Sequence, residues 1–347
     1  MARKDENMAT IKDVAKLAGV SPSTVSRALS GKVPVDKETK RKVVEAVKAL
    51  DYRPNVIAKA LKEGRSNTIG LVLPNIRNPI FPSVARGVED VARQKGYTVI
   101  LCNTDEDREI ELDYIAKLKN RWVDGFIFAT AGKDAEHILD LKADGIPVVL
   151  LVRNIEYKVD AVVIDNFKAA YRGTEYLIGL GHRKIAFING DPQLSLYKER
   201  LAGYKNALQK HHISIDDGLI VQNVADMEGA YVATHSLLDI GLIPDAIFAT
   251  SDPKAYGVMG ALKDRGIIIP KDIALMGFDD LDMSRFINPS LTAISQPWYD
   301  MGMTAMDRLI QLIENKDEKP RVNVFDAHIV RRESTEGNEL MEETPFS

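Results

Sequence analysis

The sequence has almost no cysteine: Cys102 is the one thiol in 347 residues, so no internal disulfide can form. It sits in the apolar run YTVILCN, which reads as a buried core thiol rather than a nucleophile. Long apolar runs are missing too. Nothing approaches the roughly 18 consecutive apolar residues of a membrane span, and the first twenty residues lack the apolar centre of a signal peptide. The expectation is a cytoplasmic protein that makes no contact with a membrane.

Enzyme signatures are equally scarce. There is no G-x-x-x-x-G-K-[ST], no G-x-S-x-G, and no strand running into G-x-G-x-x-G; GLGHRK at Gly179 follows a helical stretch and reads as a helix stop. The six histidines are scattered, and the adjacent pair His211 and His212 has no Cys or carboxylate at ligand spacing, so no metal and no cofactor is expected. Asp252 and Asp279 follow apolar runs and have the chemistry of an acid and base pair in a cleft. Carboxylates there equally accept hydrogen bonds from ligand hydroxyls, and without a nucleophile or cofactor motif the reading is of a protein that is not an enzyme.

What is present is a soluble globular composition, 45% hydrophobic and 28% charged, in a chain long enough for two or three domains. The net charge of -4 conceals an asymmetry. Residues 1–67 carry 15 Lys and Arg against 8 Asp and Glu, a net +7, whereas the remainder carries 31 against 42, a net -11. A basic head on an acidic body is expected where one end of a protein meets a polyanion.

Three short helices fit the head. Thr10 and Asp13 have capping-box spacing ahead of Val14, Leu17 and Ala18, with Gly19 as the stop. Ser21 and Pro22 open a second helix, in which Val25 and Leu29 are expected to hold the core and Gly31 to end it. A third runs from about Asp36 with Val43, Val47 and Leu50 on one side. Two helices about a Gly-containing turn, braced by a third, describe a helix-turn-helix whose second helix can enter a DNA major groove. On that helix Ser23, Thr24 and Arg27 face outward, and Arg is the commonest reader of guanine. A plain solvated helix face is the competing reading; the caps, turn and local charge favour DNA. Next, RPNVIAKALKEGRSN has room for a two-turn helix from Asn55 to Lys62, marginal in water by itself. Leu61 between Lys59 and Lys62 has the make-up of an apolar wedge flanked by phosphate contacts, and equally of a simple linker.

From Thr68 the texture changes to Val/Ile/Leu-rich runs, TIGLVLP, YTVILCN, DGFIFAT, PVVLLV, AVVID, KIAFING, LIVQN, AIFAT and IALMGFD, alternating with amphipathic helices. Such runs are strands of parallel sheets covered on both faces, and their number calls for two doubly wound subdomains. Ligands then bind beyond the carboxyl ends of the strands, which directs attention to Asp165, Asp252, Asp279 and the loop leading to Arg200.

The segments TIKDVAKLAGVSPSTVSRALSG, YRPNVIAKAL, TIGLVLPNIRNPIF, RWVDGFIF, GHRKIAFING, RLAGYKNAL, FATSDPKAYGVMGAL, IALMGFDD and PSLTAISQP, in this order over about residues 8–335, resemble the lactose/galactose-repressor (LacI/GalR) family of bacterial transcription regulators, nearest its purine-repressor and catabolite-control branches. The resemblance implies an α/β protein with an all-α helix-turn-helix headpiece and two doubly wound parallel-sheet subdomains like a type I periplasmic binding protein. It implies an N-terminal extension at 1–7, a DNA-binding domain at 8–53, a hinge at 54–67, and a core at 68–336. Within the core the N-subdomain spans about 68–166 and 298–325, the C-subdomain about 167–294 and 326–336, and a tail follows at 337–347.

The resemblance also implies a homodimer on a near-palindromic operator. Base-reading positions fall on Pro22, Ser23 and Arg27, with Thr10, Ser21, Thr24, Ser26, Asn55 and Lys62 completing the DNA-contacting set. Pro22 has no side-chain donor, which shifts the reading onto Ser23 and Arg27. Lys59 stands where the family usually has Arg, keeping charge but losing bidentate geometry. Leu61 matches the leucine that pairs with its dimer mate and opens the central operator step. Effector contacts map onto Phe81, Arg153, Asp165, Leu194, Leu196, Arg200, Ser251, Asp279 and Gln296, with Arg200 and Asp279 as a donor and acceptor pair for a vicinal diol. Leu194 and Leu196 replace residues that are polar in the purine repressor, which argues against a purine and for a sugar or sugar derivative. Arg153 adds a cation, suiting a sugar acid or sugar phosphate, with a plain salt bridge as the equal alternative. Effector binding is expected to bias the relative orientation of the subdomains and so the spacing of the hinges, with a coupling on the order of 1–3 kcal/mol. Control by a phosphorylated carrier protein, as in the catabolite-control branch, is the alternative. A solute-binding protein would share the core, but the basic head and the missing leader oppose it.

Overall fold

The computed structural model describes residues 9–30, 34–52, 65–120, 123–132, 135–155, 158–315 and 319–336. The predicted hinge helix, with Asn55, Lys59, Leu61 and Lys62, lies outside the described residues, as do the extension at 1–7, Gly31 and the tail from 337. The chain divides into two compact units, Met1–Ser66 and Asn67–Ser347.

The first unit holds α1 (Ile11–Ala18), α2 (Pro22–Ser30) and α3 (Lys37–Ala49). Thr10 and Asp13 form the reciprocal capping box, and Gly19 ends α1 at φ 67°, the left-handed conformation that only glycine adopts without strain. Asp36 caps α3 through the amides of Glu38 and Thr39. The small core consists of Val14, Ala15, Ala18, Val25, Ala28, Val43 and Ala46, with Val47 and Leu50 packed against it. Two expected core residues are exposed instead, Leu17 at 57% and Leu29 at 37%. Alanines at 15 and 28 take the inward positions.

The second unit contains two six-stranded sheets. One orders as β11-β5-β4-β3-β1-β2, from β1 (Thr68–Leu73), β2 (Thr98–Asn103), β3 (Gly125–Phe128), β4 (Val148–Leu151), β5 (Asp160–Ile164) and β11 (Val322–Phe325), all parallel. The other orders as β12-β10-β9-β8-β6-β7, from β6 (Ile185–Ile188), β7 (Ile220–Val221), β8 (Ala246–Ala249), β9 (Ala274–Asp279), β10 (Thr292–Ser295) and β12 (His328–Val330), with β12 alone antiparallel. Residues alternate between two cores along each strand. Ile69, Leu71 and Leu73 of β1 enter one cluster while Val72 enters another, and Phe187 and Ile188 of β6 divide in the same way. Burial on both faces is the physical reason these runs are continuously apolar.

Helices complete the two lobes: α4 (Ile80–Gln94), α5 (Arg108–Lys119) and α6 (Glu136–Ala143) in the first; α7 (Asn166–Gly179), α8 (Ser195–Lys210), α9 (Met227–Asp239) and α10 (Asp252–Asp264) in the second. The chain then returns through α11 (Trp298–Glu314), which packs on α4 and on β3, β4 and β5, before β11, β12 and the short α12 (Glu333–Glu336). It thus crosses between lobes three times, after β5, after β10 and between β11 and β12. No helix among the described residues is long and apolar enough to cross a membrane.

Candidate functional site

The first unit presents one helix by its N-terminal end. Ser21 Oγ accepts the Thr24 amide at 3.2 Å and lies 2.7 Å from Ser23 Oγ and 2.9 Å from Thr24 Oγ1, so a hydroxyl cluster caps α2. Val25 and Ala28 face inward, Ser23 and Arg27 are exposed with Pro22, and Thr24 and Ser26 are half-buried. Thr10, predicted as a DNA contact, is exposed while its hydroxyl and amide both bond Asp13.

In the second unit the ends of β6, β8, β9 and β10 bring four predicted residues together. Arg200, on α8, is 3% exposed; its Nε donates to Asn166 Oδ1 at 2.9 Å and an NH group to the Thr250 carbonyl at 2.7 Å. The guanidinium carbon lies 3.6 Å from the centre of the Phe278 ring. Ser251 follows Thr250 and caps α10. Asp279 ends β9 at φ 124°, a sparsely populated conformation for a residue with a side chain, and is also buried. Its Oδ1 accepts from Gln296 Nε2 at 2.9 Å, and its carbonyl from Trp298 Nε1 at 3.2 Å. Burial pushes its carboxyl well above the usual carboxylate range, against the pull of Arg200 and Lys254.

Other predicted residues surround this group. Leu194 precedes α8 and reaches toward the first lobe, where a Cβ on Gly132 would lie 3.7 Å from its Cδ2; Leu196 is buried. Asp165 marks the first crossing, exposed, with its carboxylate on the Lys168 amide at 2.8 Å. It lines a 290 Å³ cavity at the lobe junction with Asn154, Asn166, Ser195 and Glu199. Phe81 is buried in the core at the start of α4. Arg153 makes a forked ion pair with Glu106, 3.1 Å on one arm, and donates to the Thr130 carbonyl at 3.0 Å. Its charge is thus paired with the half-exposed Glu106 of the same lobe.

Comparison with known proteins gives this geometry a family. Residues 10–55 match the description "Bacterial regulatory proteins, lacI family", and residues 66–332 match "Periplasmic binding proteins and sugar binding domain of LacI family". The chain belongs to the LacI family. It is 40% identical over 336 residues to the HTH-type transcriptional regulator RegA of Clostridium acetobutylicum, covering 94% of this chain and 99% of that one. Catabolite control protein A of Priestia megaterium is 36% identical, covering 89% and 93% of the two chains. The crystal structure of the lac repressor dimer bound to operator and the anti-inducer ONPF superposes with a TM-score of 0.85 at 27% identity, covering 94% and 99%. LacI-family members are DNA-binding transcription regulators rather than enzymes, and this chain is one of them.

Within this LacI-family core, sequence reasoning missed Asn166, Tyr197, Lys254 and Phe278. Lys254 was legible in principle. It precedes Val258 and Ala261 at i+4 and i+7, so it stands on the buried stripe of α10 and is 1% exposed. Tyr197 and Asn166 gave no signal, since their importance comes from the approach of α7 and α8. Cys102 is buried, which pushes its thiol up to about 11, in keeping with a core role.

Proposed function

We propose that the chain is a cytoplasmic transcriptional repressor that binds a near-palindromic operator as a homodimer and is controlled by a small carbohydrate-type effector held between the two lobes of its core. The observation that carries the DNA half is α2: a capped helix, fixed to its own core by Val25 and Ala28, with Ser23 and Arg27 turned outward in a segment of net +7. In this reading Ser23 and Arg27 contact base edges, Thr10, Ser21, Pro22, Thr24 and Ser26 support them at the backbone, and Lys59, Leu61 and Lys62 with Asn55 form the hinge contact.

The effector half rests on Arg200, Ser251, Asp279 and Gln296, a fork of donors beside a buried acceptor, with Leu194 and Leu196 giving the apolar wall expected against a sugar ring. Phe81, Arg153 and Asp165 complete the proposed contact set. A ligand that prefers one arrangement of the lobes shifts the dimer between DNA-binding states. The 36% identity to catabolite control protein A favours one second reading, control by a phosphorylated partner protein. The test is selection of genomic fragments by the purified full chain at moderate salt, followed by gel shift of the selected fragment with a metabolite panel and with a phosphorylated carrier protein. Indifference to every fragment refutes the proposal; release by the carrier protein alone establishes the second reading.

A further inference from the structure

Next to Ser251, in the group described above, lies a buried cation without an ion-pair partner among the described residues. Lys254 is 1% exposed, and no carboxylate oxygen among the described residues lies within ion-pair distance of its ammonium. Its polar neighbours are Tyr197 OH at 3.3 Å and Ser251 Oγ at 3.4 Å, and Nζ sits 4.8 Å from the centre of the Tyr197 ring. It also stands in the first turn of α10, where the helix dipole disfavours a cation and favours an anion. A buried charge without a partner is unfavourable, and a fold retains one when something supplies the missing charge.

The surroundings add positive charge rather than remove it. Tyr197 lies among Lys254, Arg200 and Arg153; burial opposes ionisation of its phenol, yet the three cations together draw it below its usual range. Arg153 is matched by Glu106, whereas Arg200 rests on Asn166, Thr250 and Phe278 and has no carboxylate at ion-pair distance among the described residues. Asp279 is the nearby carboxylate that acts on both Arg200 and Lys254, and its own burial favours the neutral form. Glu199 acts on Arg200 as well, so Asp279 is the carboxylate common to both cations, and Lys254 is the less compensated of the two.

We infer that the effector is an anionic sugar derivative whose carboxylate or phosphate is bound by Lys254, with the Ser251 and Tyr197 hydroxyls beside it, while Arg200 and Asp279 hold its hydroxyls. This rests on the effector-binding reading proposed above and specifies the chemical class. Lys254 takes the role that the sequence assigned to Arg153.

The full chain is titrated calorimetrically with gluconate, glucuronate, glucose 6-phosphate and ribose 5-phosphate, and with glucose and ribose as neutral parents. At least one acid is expected to bind about tenfold or more tightly than its parent. Lys254→Met should abolish that preference without lowering the melting temperature of the ligand-free protein. A parent that binds as tightly as its acid, a preference that survives in Lys254→Met, or binding of none of the acids overturns the inference. So does a fall of more than about 5 °C in the ligand-free variant, which would make Lys254 a structural counter-ion to Asp279. Operator binding by the wild type, measured in parallel, separates these outcomes from failure of the proposed function.

Discussion

Arg200 lies over Phe278 at 3.6 Å while its fork bridges Asn166 of α7 and the carbonyl of Thr250 at the end of β8. One side chain thus ties a helix, a strand end and an aromatic ring together at the mouth of the second lobe. Lysine has no planar fork and cannot stack while making both bonds. Arg200→Lys is therefore expected to weaken effector binding at least about tenfold, equivalent to ~1.4 kcal/mol, and to lower the melting point by a few degrees. Calorimetry and thermal unfolding read the two effects, and an unchanged effector affinity would remove Arg200 from the site.

On DNA, Arg27→Ala should reduce specific binding by about 1–3 kcal/mol and relax preference at one base pair in each half-site. Lys62→Ala should instead weaken all sequences alike and lower the salt slope by about 1. Competition binding against singly substituted operators at two salt concentrations distinguishes a base reader from a phosphate contact.

Gly302 of α11 faces α4 so closely that a Cβ would lie 2.3 Å from the Val84 carbonyl oxygen, and Gly87 meets the Tyr299 carbonyl in the same way at 2.2 Å. Gly302→Ala must separate the two helices, at an expected loss of about 1–3 kcal/mol. A lowered urea midpoint for the core checks this. Gly96 at φ 77° has open space around its Cβ position, so any loss in Gly96→Ala comes from backbone strain alone.

Arg308 and Asp160 form a buried pair, Nε to Oδ1 at 2.7 Å, with side chains 5% and 3% exposed. Asp160 also accepts the Arg321 amide at 3.1 Å, which attaches β11 to its sheet. Arg308→Met leaves a buried carboxylate without its counter-charge and should destabilise by roughly 3–5 kcal/mol. Adding Asp160→Asn should restore much of the loss, measured as a double-mutant cycle by chemical denaturation.

Asp252 contributes a pH dependence of opposite sign to that of ordinary salt-bridged acids. Burial pushes its carboxyl up to about 6; Oδ2 accepts from the Leu281 amide and Ser284 hydroxyl, while Oδ1 has no hydrogen-bond partner among the described residues. Between about pH 4 and pH 6 the folded state therefore binds a proton that the unfolded chain releases, so this group's contribution to stability falls as pH rises through that window. The penalty is absent below the window and complete above it. Asp252→Asn keeps an acceptor for Leu281 and Ser284 and should flatten the fall in melting temperature from pH 4.5 to pH 7.5. A variant whose pH profile parallels the wild type would contradict the assignment.

Much of the fold can be read from local signals. The nine apolar runs correspond to β1–β9 because two-sided burial leaves a continuous hydrophobic signature. β10 (TAIS), β11 (VNVF) and β12 (HIV) escaped notice: they are short, mixed in polarity, and owe their strand conformation to neighbours already in place. In the head the caps at Thr10 and Gly19, and the start of the third helix at Asp36, were visible because a cap is a contact within three residues. Leu17 and Leu29 misled because hydrophobicity alone does not say which side of a short helix the tertiary packing will cover.

The candidate site divides along the same line. Residue identity and spacing determined the capped helix with Ser23 and Arg27, the basic head, the alternation of strand and helix, and the place of Asp279 at a strand end, all of them consequences of covalent neighbours. Only the tertiary structure decided that Arg153 is matched by Glu106, 47 residues away, and that Lys254 is enclosed beside Tyr197, 57 residues away, without a matching carboxylate among the described residues. Whether a charge is paired depends on which side chains the packed sheets and helices bring within a few ångströms, and no local pattern along the chain records that distance.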